Sequence, residues 1–339
     1  MSTRRRLRAV LSAVWGEDGR CDRRPTVAGV TKQHAAADPA VTDLMKGWTM
    51  LTQADRESFD NNGFLVVKGA LSEREVEALA AAGDHLDAHS EDYWDARGQE
   101  RNLLAVDPDN FLPLLTHPVT LPLVAQLMGP RLQLHTSQFL WRHPDSVSAD
   151  SPHANGIDAS KLGWHRDIAE MTSVIGPGVM PRVEIKCMFY VSDCDKPGYG
   201  QTWVAAGSHK WQPGDSGAYQ GPEAKARIVD EGRAVEAMLK AGDCLLFENR
   251  CFHSVGVNLS NSVRKSFVVG YSYRWMRPDD YNTQDEEFLS KYCNPLEREL
   301  MVMNGMNIGN DGVWKAGGDP TLLEEIFFAH HGHKTAATF

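Results

Sequence analysis

The sequence predicts a mainly β protein in which helices flank a jelly-roll barrel. From Leu132 onward, short β-rich runs alternate with turns of Gly, Pro, Asp and Ser, which is typical of an all-β core. The connections between these runs have uneven lengths, and this favours a jelly roll over a sheet of repeated strand–helix–strand units. Helical patterns precede and follow the β-rich region.

The N-terminal flank, expected over residues 52–130, contains helices whose starts can be located from their capping residues. Thr52 and Asp55 stand at the start of a short helix that ends at a turn before Phe64. The tetrapeptide Ser72-Glu73-Arg74-Glu75 is a capping box, in which the two end residues each bond the backbone of the other. The expected elements are the helix from Thr52, a strand over 64–67, an amphipathic helix over 72–89 and a helix over about 118–128.

The β core is expected over about 132–275. Its candidate strands cover 132–142, 182–192, 201–206, 243–248, 251–257 and 265–275. The polar segment 144–161 has no regular pattern, and a loop of this length inside a compact domain is usually functional, so we expect a lid there. After Pro278 the C-terminal flank over 283–330 is helical, with helices expected over about 283–304 and 320–330.

The chain is long enough for one large domain, with 339 residues and 42% apolar content. We expect a single domain over 46–335 and a flexible N-terminal tail over 1–45. Four arginines and no acidic residue precede Glu17, which also resembles an organelle-targeting or secretory start. The tail is the preferred interpretation because the apolar stretch is broken and no small-residue cleavage site is evident.

Composition narrows the classes of function. A net charge of −10 argues against a nucleic-acid partner, which would require a basic face. No apolar run approaches the roughly 20 residues that span a membrane. The six cysteines form no C-x-x-C pair, so they indicate the reduced cysteines of a cytoplasmic protein and not a disulfide framework or a zinc site. The expected partner is a small-molecule substrate, and the sequence gives no indication of oligomeric state.

Two histidines, one aspartate and one arginine form the pattern that carries the chemistry. His165 and Asp167 form a His-x-Asp pair, and His253 lies 88 residues beyond His165 in another predicted strand. Two imidazoles and a carboxylate are the ligand set that holds Fe(II) on one face and leaves the opposite positions for substrate and oxygen. Arg264, eleven residues after His253, supplies a guanidinium suited to a dicarboxylate co-substrate.

These residues and their surroundings resemble the phytanoyl-CoA dioxygenase family of Fe(II)/2-oxoglutarate oxygenases, with a layout like that of the ectoine hydroxylases. The resemblance covers roughly residues 50–277 and rests on Trp164-His165-Arg166-Asp167, Ala206-Gly207-Ser208-His209-Lys210, Gly242 to Phe247, and His253 to Asn258 followed by Arg264. It implies a double-stranded β-helix core of the cupin type. It also implies Fe(II) held by His165, Asp167 and His253, and the co-substrates O2 and 2-oxoglutarate, the latter bound by Arg264.

The resemblance gives weaker indications for five further residues. Arg142 stands where the family often has a 2-oxoglutarate-binding lysine, and it keeps the charge with a different geometry. Gln138 and Thr136 share its strand parity and would face inward, Gln138 toward the co-substrate and Thr136 toward the substrate. Thr136 replaces a substrate-binding glutamine of the ectoine hydroxylases, which argues against ectoine as substrate. Trp164 is expected beside the substrate, whereas His209 is expected to be structural.

The leading hypothesis is an Fe(II)/2-oxoglutarate-dependent hydroxylase that oxidises an unactivated C–H bond of a small molecule in specialised-metabolite biosynthesis. Halogenating relatives replace the carboxylate at position 167 with a small residue, so Asp167 favours hydroxylation, desaturation or ring formation. Desaturation and ring formation stay open as alternatives. Two other classes are a non-catalytic small-ligand-binding barrel and a cupin-like iron enzyme that needs no 2-oxo acid; the complete ligand set and Arg264 count against them.

Overall fold

Helices surround two antiparallel β-sheets in this protein. The computed structural model describes residues 48–89, 100–148, 150–168, 180–211, 222–279, 285–302 and 320–331. The predicted tail over 1–45 lies outside these residues, and the single domain over 46–335 stays a prediction. No helix in the described part of the chain has the length and apolar character needed to cross a membrane.

The N-terminal helices begin and end at the residues that their capping signals predict. The Thr52 hydroxyl accepts a hydrogen bond from the backbone of the first helix, and Gly63 ends that helix in the left-handed conformation at φ 83°. The capping box from Ser72 to Glu75 starts the second helix. The helices of this flank are α1 (Gln53–Asn62), α2 (Glu73–Ala88), α3 (Leu103–Val106), α4 (Pro108–Phe111) and α5 (Thr120–Met128). The sequence did not indicate α3 and α4, because four residues are too few for a periodic pattern.

The strands form one larger and one smaller sheet. They are β1 (Phe64–Val67), β2 (Glu100–Arg101), β3 (Leu132–Arg142), β4 (Glu184–Tyr190), β5 (Thr202–Ala205), β6 (Ala234–Glu236), β7 (Cys244–Glu248), β8 (His253–Val255) and β9 (Arg264–Tyr273). The major sheet has the order β1-β7-β4-β9-β3-β2 and the minor sheet the order β6-β5-β8. Strands that are distant in sequence are therefore neighbours, as in a jelly roll. The very short β2 and β6 were not predicted.

The C-terminal flank differs from the prediction at one point. The single helix expected over 283–304 is two helices, because Asn294 caps a new helix and Pro295 occupies its first position. Proline is favoured there, since it lacks the N–H that a helix interior requires. The helices of this flank are α7 (Glu286–Tyr292), α8 (Pro295–Met301) and α9 (Leu322–His331). One earlier helix, α6 (Pro222–Asp230), lies between β5 and β6.

Alternation along the major sheet separates two buried faces. On β4, Phe189 packs against the helices, whereas Met188 and Tyr190 face the space between the two sheets, which we call the barrel interior. The register aligns interior residues into levels. One level contains Thr136, Lys186, Phe247 and Gly270, which lie opposite one another on adjacent strands. A second level contains Leu140, Tyr190 and Ser266.

Helix α2 packs closely against the side chains of β3 at Gly83. A Cβ at this position would lie 2.4 Å from two indole carbons of Trp141 and 3.0 Å from a ring carbon of Phe139. Alanine gains about 1 kcal/mol over glycine in a helix, but forcing a methyl group into a packed core costs about 1–3 kcal/mol. We therefore expect Gly83→Ala to lower the free energy of unfolding by about 1 kcal/mol in urea denaturation. A more stable G83A protein would show that helix propensity, and not packing, governs this position.

Candidate metal centre

His165 and His253 lie directly opposite each other across an antiparallel backbone pair. The His165 N–H donates to the His253 carbonyl oxygen at 3.0 Å, and the His253 N–H donates to the His165 carbonyl oxygen at 2.9 Å. His253 is the first residue of β8, the edge strand of the minor sheet, so His165 pairs with that edge. It brings together two residues that are far apart in sequence, and their ring centroids are 4.3 Å apart.

Asp167 completes the group from the same segment as His165. One ligand atom from each of His165, Asp167 and His253 lies within 4.8 Å of the others, and Asp167 Oδ2 lies 3.5 Å from His253 Nε2. Within the part of the chain that the structure describes, no other group of three such side chains converges in this way. The structure thus brings together the three residues that the sequence predicts as iron ligands.

Backbone carbonyl groups orient both imidazoles. His165 Nδ1 lies 2.9 Å from the Gly163 oxygen, and His253 Nδ1 lies 3.1 Å from the Cys251 oxygen. A carbonyl oxygen can only accept a hydrogen bond, so we assign the proton of each neutral ring to Nδ1. Each Nε2 then keeps its lone pair for a metal ion, which is the usual arrangement of metal-binding histidines.

The electrostatic environment leaves both types of ligand in the form that binds a cation. Burial is the largest cause that lowers the pKa of His253, to about 4, with His165 and Lys186 acting in the same direction and Asp167 opposing them. Burial alone would raise the pKa of Asp167, but Lys186 and the two imidazoles hold it well below its ordinary value. At neutral pH, His253 is therefore neutral and Asp167 is ionised.

The depressed pKa of His253 predicts a specific pH dependence of stability. As the pH falls, the unfolded chain protonates the His253 imidazole near pH 6.5, whereas the folded chain does so only near pH 4. Between these two values the unfolded state therefore holds more protons. The free energy of unfolding should fall by about 3 kcal/mol as the pH falls through this window. His253→Gln should lack this component when both proteins are unfolded in urea with a chelator present. Parallel pH profiles of the two proteins would contradict the assignment.

Lys186 is a site residue that the sequence interpretation missed. Its ammonium lies 3.0 Å from Asp167 Oδ2, and both side chains are largely buried. A ligating carboxylate is itself usually held by a hydrogen bond or an ion pair, so Lys186 is placed to fix Asp167. The signal was present in the sequence, because Lys186 is a charge inside an apolar strand with the same parity as Met188.

Arg264 begins β9 and is only 3% exposed. Its Nη1 donates to Ser266 Oγ at 2.7 Å, and its Nε has no hydrogen-bond partner among the described residues. Two hydroxyl groups join the sheets here: Tyr190 on the adjacent β4 donates at 2.8 Å to Thr202 Oγ1 on β5 of the minor sheet. A buried guanidinium beside neutral hydroxyl groups is suited to bind a carboxylate.

Arg264 and the histidine–aspartate group occupy two levels of the same barrel interior. Ser266, the hydroxyl partner of Arg264, is four residues from Gly270, which lies level with Lys186. His253 faces the same interior, because it lies opposite Val204 and its ring centroid is 4.7 Å from that of Phe247. Val268 lies on the interior face of β9 between the two levels.

The other predicted residues lie in different surroundings. Arg142 donates to both oxygens of Asp145, at 2.6 and 2.7 Å. Gln138 Nε2 donates to Thr136 Oγ1 at 3.3 Å, and Thr136 is on the level of Lys186. Trp164 is completely buried and packs with Leu162, Trp211 and Phe252 on the outer side of the minor sheet. The structure therefore brings Thr136 and Gln138 to the barrel interior and places Trp164 outside it.

Two more sequence interpretations concern the surroundings of the site. In the predicted lid over 144–161, Asp145 accepts a hydrogen bond from the Asn258 backbone. Ile157 packs against the cluster that contains Leu162, Trp164, Trp211 and Phe252, which we call the outer cluster. Whether this segment acts as a lid stays a prediction. His209 is buried with its Nε2 3.1 Å from the Asp60 carbonyl oxygen, and it is not part of the converging group.

Comparisons with known proteins give a sequence family and similar folds. The sequence profile of the phytanoyl-CoA dioxygenase family (PhyH) matches residues 59–266, more than half of the chain, and this range includes all three converging residues and Arg264. The dioxygenase cdmD of Talaromyces verruculosus is 25% identical over 138 residues, which are 39% of this chain and 40% of that protein. The dioxygenase aneA of Aspergillus aculeatus is 25% identical over 138 residues, 40% of this chain and 43% of that protein. The chain thus matches only about two fifths of the length of these curated relatives.

Solved structures resemble the fold. EctD from S. alaskensis, crystallised with 2-oxoglutarate and 5-hydroxyectoine, has a TM-score of 0.53 at 18% identity, covering 77% of this chain and 86% of that one. The non-heme alpha ketoglutarate dependent carbocyclase SnoK from nogalamycin biosynthesis has a TM-score of 0.51 at 19% identity, covering 71% and 90%. These likenesses confirm the predicted fold class, a mainly β jelly-roll core with flanking helices.

Proposed function

Because the chain belongs to the phytanoyl-CoA dioxygenase family, we propose that it is an Fe(II)/2-oxoglutarate-dependent oxygenase that hydroxylates an unactivated C–H bond of a small molecule. His165, Asp167 and His253 would hold the iron, and Arg264 would bind the C5 carboxylate of 2-oxoglutarate. The observation that carries this proposal is the convergence of two imidazoles and one carboxylate within 4.8 Å, in a barrel that also contains a buried guanidinium.

The donor set fits Fe(II). Two imidazole nitrogens and one carboxylate oxygen from two chain segments can occupy one face of the ion and leave the opposite positions open. When bound, the iron together with 2-oxoglutarate and O2 supplies the oxidising power to break a C–H bond, and 2-oxoglutarate is converted to succinate and carbon dioxide. Lys186 would keep the Asp167 carboxylate in place through the ion pair at 3.0 Å.

The other tasks of the protein are to bind and orient the substrate and 2-oxoglutarate and to exclude water from the site. Arg264 would orient the dicarboxylate through a bidentate, charge-assisted pair, which is strongest where water is excluded. Met188 and Val268 line the interior between the two polar levels and exclude water from this region. Thr136 and Gln138 lie on the interior face of β3, where they remain candidates for contacts with substrate and co-substrate.

Hydroxylation is proposed over halogenation because position 167 keeps its carboxylate. Desaturation and ring formation are the alternatives on this scaffold, and the likeness to SnoK, a carbocyclase, is a reason to test ring formation. We place the substrate among specialised metabolites, since SnoK acts in nogalamycin biosynthesis.

The first test uses 2-oxoglutarate and Fe(II) without oxygen. The proposed enzyme should develop the visible metal-to-ligand charge-transfer band and, after air is admitted, should form succinate. Asp167→Asn should give neither. A non-catalytic barrel would give no band and no succinate, and a cupin-like iron enzyme that needs no 2-oxo acid would bind iron without the band.

A second test separates the possible outcomes once a substrate is found in a metabolite library. Hydroxylation adds one oxygen atom, which should carry the label when the reaction runs under ¹⁸O2. Desaturation and ring formation instead remove two hydrogen atoms and leave no label in the product. A product without ¹⁸O would indicate desaturation or ring formation and not hydroxylation. The assignment of the metal ligands would be unaffected.

A further inference from the structure

A buried cation lies next to the metal ligands in sequence but outside the metal group. Arg166 stands between His165 and Asp167 and is 4% exposed. Its Nη2 donates to the carbonyl oxygens of Ser208, at 2.7 Å, and of Trp211, at 3.2 Å. Burial lowers the pKa of Arg166 to about 10, so the side chain is still charged at neutral pH.

The turn that accepts these hydrogen bonds also holds the other ligand segment. Ser208 Oγ accepts a hydrogen bond from the Phe252 N–H at 2.8 Å, and Phe252 immediately precedes His253. The Phe252 ring in turn lies beneath the guanidinium, with its centroid 4.3 Å from Arg166 Cζ. One turn, which begins at Gly207 with φ 77°, therefore contacts both segments that carry the proposed ligands.

The backbone pair between the two histidines is a small element. It is an isolated bridge of two hydrogen bonds, and β8, which begins at His253, has only three residues. So short a pair is a weak constraint on the spacing of the ligands, because two paired strands without further packing are only marginally stable. The contacts of Arg166 and Ser208 add a second connection on the opposite side of the same backbone.

We propose that Arg166 and Ser208 form a clamp that fixes the His165–Asp167 segment against His253 and so determines the affinity of the metal site. This inference rests on the proposed function only in that the three converging residues bind a divalent metal. Arg166 and Ser208 are positioning residues, because neither contacts the reacting groups. The guanidinium has no carboxylate at ion-pair distance among the described residues, and its Nε has no hydrogen-bond partner there. An apolar side chain would fill such a place at lower desolvation cost, so stability alone does not explain a cation.

The test measures Ni²⁺ binding by isothermal titration calorimetry, which requires no turnover. Arg166→Met keeps the volume but removes the hydrogen bonds, and we expect it to weaken Ni²⁺ binding by about 10- to 100-fold. Arg166→Lys, which keeps the charge without the planar fork, should lie between R166M and the wild type. Arg227→Met is the matched control, because Arg227 stacks on Trp211 of the same outer cluster and pairs with Glu231. It should leave Ni²⁺ binding unchanged.

Stability with a chelator present separates a clamp from a purely structural role. A structural residue would lower the free energy of unfolding without changing the Ni²⁺ affinity of the folded fraction, and that result would overturn the proposal. So would an equal loss of Ni²⁺ affinity in R227M. If R166M does not fold, Ser208→Ala serves instead. It removes the hydroxyl that accepts from the Phe252 N–H and donates to Cys251 Sγ, and it leaves the Ser208 carbonyl that accepts from Arg166. It should weaken Ni²⁺ binding several-fold, and unchanged binding would refute the clamp. The proposed function can fail separately. If the wild type binds Ni²⁺ and D167N does not, but the wild type forms no succinate, the proposed function is rejected and the clamp is not.

Discussion

Asp167→Asn should abolish 2-oxoglutarate turnover, lowering the rate of succinate formation by about 10³-fold or more. Asparagine keeps the shape of the side chain but removes the negative charge that the proposed iron site requires. It also leaves the Lys186 ammonium, now 3.0 Å from an uncharged group, as an uncompensated and largely buried cation. The free energy of unfolding in a chelator should therefore fall by about 3 kcal/mol. Succinate assays and urea denaturation measure the two effects separately.

The double variant Asp167→Asn with Lys186→Met is the control for this prediction. It removes both charges of the buried pair, so most of the lost stability should return, whereas turnover should remain absent. Recovery of turnover in the double variant would mean that Asp167 only neutralises Lys186 and is not a ligand.

Arg264→Met should raise the KM for 2-oxoglutarate by about 10²-fold, because truncating one partner of a buried charge pair costs about 2–5 kcal/mol. Ni²⁺ affinity should change little, since Arg264 lies two residues beyond Ser266 along β9 and its guanidinium contacts Ser266, whereas Lys186, the partner of Asp167, is level with Gly270. Arg264→Lys should have an intermediate KM, because an ammonium keeps the charge but cannot bind a carboxylate through a fork. Steady-state kinetics with varied 2-oxoglutarate provide the measurement.

Arg142→Met is the matched comparison for Arg264. The sequence also predicts a co-substrate role for Arg142, whose guanidinium in the structure binds both oxygens of Asp145. A KM that rises as much as in R264M would support that role. A KM near that of the wild type would leave Arg264 as the guanidinium that binds 2-oxoglutarate. If instead R264M left the KM unchanged, the proposed carboxylate site would be wrong.

Local signals determined much of the secondary structure. The capping box at Ser72 and the turn at Gly63 predicted helix ends that the structure confirms, because capping is decided by residues within one turn of each other. The break at Asn294-Pro295 carried an equally local signal, but it lay inside a longer helical pattern and was overlooked. The short helices α3 and α4 had no periodic signal to detect.

The identities of the proposed ligands were readable from the sequence, because few residue types bind iron and their order matches a known family. A charge inside an apolar strand marks Lys186 as unusual, but its pairing with Asp167 and the roles of Arg166 and Ser208 were not readable, since each depends on a partner that is distant in the chain. Arg166 and Ser208 are 42 residues apart, yet they are joined at 2.7 Å.

By itself, the sequence determined the fold class, the chemistry of the candidate ligands and the guanidinium that accompanies them, because these depend on residue type and short-range pattern. Only the tertiary structure decided that His165 and His253 lie opposite each other, that Lys186 pairs with Asp167 and that Trp164 packs outside the barrel. Such distances are set by pairing between strands that are distant in the chain. The hydrogen bonds of that pairing form between backbone N–H and C=O groups, which all residues except proline carry, so residue type does not specify which strands pair.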